Sequence, residues 1–371
     1  MIRNYIITTL RIIQRSPVYF GINLIGLSIG IICCMLIALF VQHELSFDQF
    51  HSRKDRLYRI NYDIVMGGNQ TISPSVPVFV APHLKRLFPE VEDATRFMAT
   101  YSAVTVGASD DRIFDEKGFA WADPNFFKIL DFKIVSGKID ELLTRPKTLV
   151  LSESMARKYF GDENPVGKTV TVGGRDSYEV TGVMEDVPGN SHFRFDLVTS
   201  LYSLNGIDDE SIQWNNPNYT TFVLVKPGVG REALQKKIND WVNPPGENSA
   251  GGSNTLTLPL EPLSEVHFNT TVFNFQGKLA ITDIRYLYIF TAIALLVLAI
   301  ACINYINLAT ARASARAKEV GIRKTSGAGF KQLILQYLSE SFLLLLPAVV
   351  LSVLVVKMLL PVLGNMLDKE I

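Results

Sequence analysis

The sequence predicts an α-helical transmembrane protein with a large inserted α+β extracytoplasmic domain. Three observations lead there. Uncharged apolar runs recur at residues 18–41, 286–311 and 342–356. A polar block of about 240 residues, punctuated by turn signals, separates the first run from the second. Lysine and arginine gather before the first run and between the second and third, which fixes one orientation for all three.

Composition agrees with this reading. Hydrophobic residues make up 48% of the 371 and mean hydropathy is positive, so some apolar segments call for lipid to cover them. Thirty-six basic side chains balance 36 acidic ones, which excludes an overall field directed at nucleic acid. Cys33, Cys34 and Cys302 all lie in apolar runs, so no disulfide framework is expected. The cysteine-free polar block is compatible with an oxidising compartment.

Residues 1–17 form a cytoplasmic segment. Tyr5, Ile6, Leu10 and Ile13 fall near one helical face and Arg11 and Arg15 on another. Such a helix lies along the inner membrane surface or extends the first span. The first span covers 18–42. Pro17 stands where a first helical turn tolerates proline, and Gly21, Gly26 and Gly30 allow another helix to approach closely. A cleaved signal peptide fits poorly, because the run is too long and Gln42-His43-Glu44-Leu45 replaces a small-residue cleavage site.

The domain covers 43–284. Residues 57–62 read as a strand, 76–88 as a helix ending before Pro89, and 148–151 as a short strand. Ser152 reads as the N-cap of a helix through Phe160 with Gly161 just beyond it. Strands follow at 168–172, 178–183 and 220–225, a helix at 232–242, and a Pro/Gly/Ser-rich loop at 244–252. A second span at 285–311 is bracketed by Arg285 and Arg312. A cytoplasmic loop at 312–332, a third span at 333–363 and an outer tail at 364–371 complete the chain. The third span takes in Lys357, whose stem can carry its charge to the headgroups from a position near the far end. Arg3, Arg11 and Arg15 precede span one; Arg312, Arg316, Lys318, Arg323, Lys324 and Lys331 face only Glu319 in the later loop. Both regions are therefore expected inside, and the domain outside.

Catalytic patterns fail on spacing. The run from Gly161 to Thr169 has one residue too many between its glycines for a phosphate-binding loop and follows a helix rather than a strand. His43-Glu44 opens like a metalloprotease motif, but Phe47 stands where its second histidine belongs. His83, His192 and His267 read as ordinary domain histidines. Ser154 and Lys158 share a helix face, yet nothing supplies an oxyanion hole. No catalytic, metal or cofactor site is expected.

The inner loop is different. Arg316, Lys318, Glu319, Arg323 and Lys324 surround Val320 and Ile322, so charge frames an apolar knob, and Gly327 and Gly329 let the chain reverse. Such a surface suits a protein partner or anionic lipid. Residues 318–324 followed by Gly327-Ala328 resemble the signature of the MacB/FtsX-type ABC permease family, with Val320 for the usual isoleucine and Ser326 for a usual apolar residue. Residues 150–168 and 178–188 resemble that family's periplasmic core domain, and Ser16-Pro17 with the preceding arginines fits its opening.

The resemblance implies a permease subunit of an export or mechanotransmission complex in a bacterial inner membrane. A cytoplasmic ABC ATPase would bind the ATP and dock on Arg316, Lys318, Glu319, Val320, Gly321, Ile322, Arg323, Lys324, Gly327 and Ala328. It implies a second permease unit, identical or not, and leaves a periplasmic adaptor or substrate open. Family members carry three helices after the domain; the chain holds two, so a longer parent protein is expected. The competing reading is a membrane-anchored sensor of an extracytoplasmic ligand without ATP coupling.

Overall fold

The computed structural model describes residues 17–100, 102–109, 111–204, 207, 214, 216–243, 255–272, 280–315, 321, 322, 325 and 329–367. The expected segment at 1–16 and the loop at 244–252 lie outside them. Two compact units emerge: a helical one from residues up to Leu45 and from Ile284 onward, and a domain, Ser46–Asp283.

The helical unit holds α1 (Pro17–Leu45); the later two long helices are Ile284–Ala315 and Phe330–Leu367. Each contains a stretch long and apolar enough to cross a membrane: Phe20–Leu45, Ile284–Ala311 and Ser341–Val362. The helices themselves extend further than the spans of 18–42, 285–311 and 333–363 expected from sequence. Polar Gln42 to Glu44 do not interrupt the first, which ends at the turn from Ser46. The second continues through Ala309, Ala311, Ala313 and Ala315, good helix formers. The third contains Pro347 and Pro361 without ending, as membrane helices tolerate. Val18, Ile22, Ile25 and Ile29 on α1 are exposed, an apolar face for lipid, while Asn23 and Ser28 are buried.

The domain is α+β. Its strands are β1 (Leu57–Ile60), β2 (Tyr62–Met66), β3 (Asn69–Ser73), β4 (Val91–Ala99), β5 (Val104–Ser109), β6 (Arg112–Glu116), β7 (Phe119–Ala122) and β8 (Ile134–Ser136). They continue as β9 (Thr148–Ser152), β10 (Thr169–Val172), β11 (Asp176–Met184), β12 (Leu197–Ser200), β13 (Thr220–Val225), β14 (Thr255–Thr257) and β15 (Leu260–Pro262). Its helices are α2 (Val80–Leu87), α3 (Phe126–Ile129), α4 (Glu153–Phe160), α5 (Arg231–Val242) and α6 (Leu263–Val266), so the later membrane helices are α7 and α8. One sheet runs β15-β1-β13-β4-β7-β12-β9-β11-β10-β5-β6, with β8 on β11; a second runs β14-β2-β3. Most pairs are antiparallel, but β7 with β12 and β9 with β11 are parallel.

Period-two alternation sorts the core. Phe222 and Leu224 of β13, Val150 of β9 and Val198 of β12 join one cluster with Phe97, Phe126, Phe132, Phe193 and Phe195. Val223 and Val225 face the other way, under α2 and α5; Leu149, Leu151 and Leu197 also face away, onto Tyr159 of α4. Central strands covered on both faces read as continuous apolar runs, which is why 148–151 and 220–225 were legible. The expected strand over 57–62 is broken at Asn61. Its side chain donates to Glu261 (2.9 Å) beside the buried Arg59–Glu261 pair (2.7 Å), and the chain changes sheet there. The expected helix at 76–88 begins only at Val80, because Val76 pairs with Tyr219 across a bridge. The cap at Ser152 accepts from Met155 N–H (3.4 Å), and Gly161 beyond the helix has φ 64°.

Candidate functional site

A domain inserted between two long apolar helices has one entry and one exit. Entry begins at Ser46, in the turn after α1. Asp48 adopts φ 57°, a left-handed conformation that aspartate tolerates, and this aims its side chain at the loop before β12. The Asp48 carboxylate accepts from Ser191 Oγ (3.1 Å), the His192 backbone N–H (3.1 Å) and His192 Nδ1 (2.7 Å). Asp48 N–H donates to the Asn190 carbonyl (2.9 Å), and Asn190 Nδ2 donates back to Ser46 O (3.1 Å) and Oγ (2.9 Å). The entry segment is thus bonded to 190–192 through main chain and side chains alike.

A second loop holds it from another side. His51 Nδ1 accepts from Asp131 N–H (3.0 Å), and Asp131 Oδ2 accepts from Ser52 N–H (2.6 Å) and Oγ (2.9 Å). The exit closes on the entry: the Phe47 ring stacks on His267 at 3.5 Å and 11°. His267 Nδ1 donates to the Ala280 carbonyl (2.6 Å), and Thr282 N–H donates to the His267 carbonyl (2.8 Å). Together these contacts form a clasp at the neck of the domain.

Electrostatics fix the protonation of the clasp. Burial raises the Asp48 carboxyl, but the charge of His192 and its hydrogen bonds outweigh this and hold it below the usual carboxylate range. Burial dominates at His51 and pulls it down to about 4 despite Asp48. At neutral pH His51 is therefore neutral, with its acceptor nitrogen turned to Asp131. Asp48 and His51 are 2% and 1% exposed, so a broken bond here leaves a buried group unpaired.

The expected docking loop is described only in part. Gly321 and Ile322 are exposed, Ile322 by 59%. Thr325 Oγ1 donates to the Ile322 carbonyl (2.8 Å). Arg316, Lys318, Glu319, Val320, Arg323, Lys324, Gly327 and Ala328 lie outside the described residues. Ser154 and Lys158 do not pair: Lys158 Nζ lies 2.7 Å from Glu116 Oε1, and Ser154 Oγ lies 2.9 Å from Ser152 Oγ. Gly167 N–H is spent on the Val180 carbonyl (2.8 Å), as in a turn between helix and strand. Sequence reasoning missed the clasp. By sequence alone His43, Glu44, Asp48 and His51 mark a polar membrane boundary and His192 is an ordinary domain histidine. The one signal was a polar Asn190-Ser191-His192 between a Pro-Gly turn and two phenylalanines, with nothing to tie it to Asp48, 144 residues away.

Comparison with known proteins places this geometry. Residues 20–241 match the MacB-like periplasmic core domain family, and residues 291–370 match the FtsX-like permease C-terminal family. The macrolide export ATP-binding/permease protein MacB of Aggregatibacter actinomycetemcomitans is 25% identical over 233 residues, which are 60% of this chain and 32% of that protein. The uncharacterized ABC transporter permease YknZ of Bacillus subtilis (strain 168) is 24% identical over 231 residues, 60% of this chain and 51% of that one. The chain thus spans between about a third and a half of the length of these curated relatives. A solved domain of a putative permease protein from Porphyromonas gingivalis shares the fold, with TM-score 0.50 and 23% identity, over 63% of this chain and 94% of that domain.

Proposed function

The chain belongs to the MacB-like periplasmic core domain family and carries an FtsX-like permease region, and from that premise we propose that it is a membrane subunit coupling ATP hydrolysis by a partner to movement of its outer domain. It is an ABC-type permease with a periplasmic-type domain. The ATPase is a separate cytoplasmic subunit that docks on 316–328, with Val320 and Ile322 at the centre of the contact and Arg323 and Lys324 as flanking charge. The ATP stays with that subunit. A second permease unit completes the assembly in a bacterial inner membrane.

The observation that carries this reading is the clasp. A domain that only bound a ligand would need no stiff joint between its two connections. Here the first residues after α1 and the last before α7 are held together through Phe47 and His267, and both loops flanking the entry are hydrogen-bonded to it. Displacement of α1 is then transmitted to the sheet through 131 and 190–192 rather than lost in a flexible tether.

The test is co-expression with candidate ATPase subunits, followed by co-purification and ATP turnover. The wild-type chain should retain the ATPase. The double change Val320→Asp, Ile322→Asp should lose it while the domain keeps its fold. Undiminished co-purification of that variant would refute the docking assignment. Failure of every ATPase to associate would favour a ligand sensor without ATP coupling.

A further inference from the structure

The two histidines that hold the entry segment do so in opposite tautomers. His51 Nδ1 accepts from the Asp131 N–H (3.0 Å), so its neutral ring carries the proton on Nε2. Asp48 is ionised, so His192 Nδ1 donates to its Oδ2 (2.7 Å) and the neutral ring keeps Nε2 as an acceptor. Both Nε2 atoms are buried, and neither has a hydrogen-bond partner among the described residues.

The tautomers dictate where an added proton goes. At His192 it goes to Nε2, away from Asp48, and the bond at Nδ1 survives as a charge-assisted one. At His51 the only open position is Nδ1 itself. A proton there sets one N–H against the Asp131 N–H across 3.0 Å, donor against donor. Acid therefore keeps one bond of the clasp and destroys the other.

The surroundings of His51 do not accommodate the new proton. The ring is 1% exposed and packs among Phe50, Phe132 and Phe193, with centroids at 4.1, 5.4 and 6.4 Å. Three titratable groups act on it: Asp48 from its own segment, Asp131 from the α3–β8 loop and His192 from the loop before β12. The carboxylates favour a charged ring and His192 opposes one. Asp48 is already occupied, Oδ1 by Ser191 Oγ and the His192 N–H, Oδ2 by His192 Nδ1. It is also drawn on by Arg59 of β1. Asp131 Oδ2 is occupied by Ser52. Burial outweighs both carboxylates and sets the His51 pKa at about 4. The remaining links to the α3–β8 loop lie at or near the surface, where water competes. They run from Ser52 to Asp131 and from the Arg53 guanidinium to the Lys128 and Ile129 carbonyls.

We propose that the neck is a proton-operated selector: acid loosens the entry segment from the α3–β8 loop and leaves it fastened to 190–192. Where the coupling reading holds, acid then confines transmission from α1 to the 190–192 route. That consequence alone rests on the coupling reading. A ring that titrates near 6.5 when released and near 4 when held binds more protons in the released state between those values, so falling pH favours release. The release equilibrium shifts roughly 25-fold between about pH 7.5 and about pH 5.

The experiment is hydrogen–deuterium exchange on the full chain in nanodiscs, without an ATPase, at those two pH values. Labelling times are scaled to the intrinsic exchange rate at each pH. The Asp131 amide reports on its bond to His51, and the His192 amide on its bond to Asp48. Acid should raise opening at 128–132 roughly 25-fold and change 190–192 and β13 by less than about twofold. His51→Gln supplies an oxygen that accepts without titrating, and should abolish the acid response. His192→Gln should keep the response at 128–132. Unchanged protection at 128–132 in the wild type would overturn the proposal. So would a response that survives His51→Gln or vanishes in His192→Gln, because the proton would then act elsewhere. Equal loss of protection at 190–192 and β13 would overturn it too, because acid would then act on the whole domain. Failure of every ATPase to associate would change none of these outcomes.

Discussion

Replacing Asp48 by alanine tests whether the clasp is a structural joint. The carboxylate accepts three hydrogen bonds, at 2.7, 3.1 and 3.1 Å, from groups packed against Phe193 and Phe222. Removing it leaves the Ser191 hydroxyl, the His192 N–H and the His192 imidazole facing a buried space. Breaking a buried pair of this kind costs about 3–5 kcal/mol. Each kcal/mol lowers the melting temperature of a domain of roughly this size by about 2–4 °C, so a fall near 10 °C is expected. The assay is thermal and urea unfolding of the soluble fragment Ser46–Asp283, which carries its own core. Asp48→Asn, which keeps an acceptor oxygen and tolerates positive φ, should lose less than half as much. Equal losses for alanine and asparagine, or a change under about 1 kcal/mol for alanine, would refute the reasoning.

Three other outcomes follow from the same contacts. His51 is held neutral down to about pH 4 in the fold but protonates near 6.5 when unfolded, so the unfolded state binds more protons between those values. Domain stability should therefore fall by about 3 kcal/mol as pH drops from 6.5 to 4, and His51→Gln should flatten that stretch of the urea-midpoint profile. Asp48 adds a separate loss at lower pH, because its folded carboxyl titrates below the ordinary range. Glu261→Ala leaves Arg59, 1% exposed, without its counter-charge and strands Asn61 and Asn269; a loss of about 3–5 kcal/mol should appear in the same unfolding assay. Gly30→Ala places a methyl 2.7 Å from Ala301, whereas Gly21 has open space, so Gly30→Ala should lower stability in detergent micelles by about 1–3 kcal/mol while Gly21→Ala leaves it unchanged.

What was legible in the sequence had local causes. Spans follow from uncharged length, and the β13 strand from a run of β-branched and aromatic residues that stays apolar because both its faces are covered. The helix at α4 was readable end to end because Ser152 and Gly161 punctuate it. Sheet order was not readable. β13 lies between β1 and β4 although more than a hundred residues separate them, and period two does not say which strand is the neighbour. The division at Asn61 depends on Glu261, two hundred residues away. The clasp failed to show for the same reason: Asp48 looks like a boundary residue until 190–192 fold onto it. The proposed docking loop is the reverse case, visible as a motif while most of its residues lie outside the described structure.

Hydrogen–deuterium exchange on the full chain with the proposed ATPase partner in nanodiscs, with and without ATP, tests the central claim most directly. If motion of α1 enters the domain through the neck, ATP should change exchange at 46–52, 190–192 and 263–272 together. Asp48→Ala should retain the ATPase and its turnover but lose the linked change at 190–192. Turnover with no nucleotide-dependent change at any of the three segments would contradict the account.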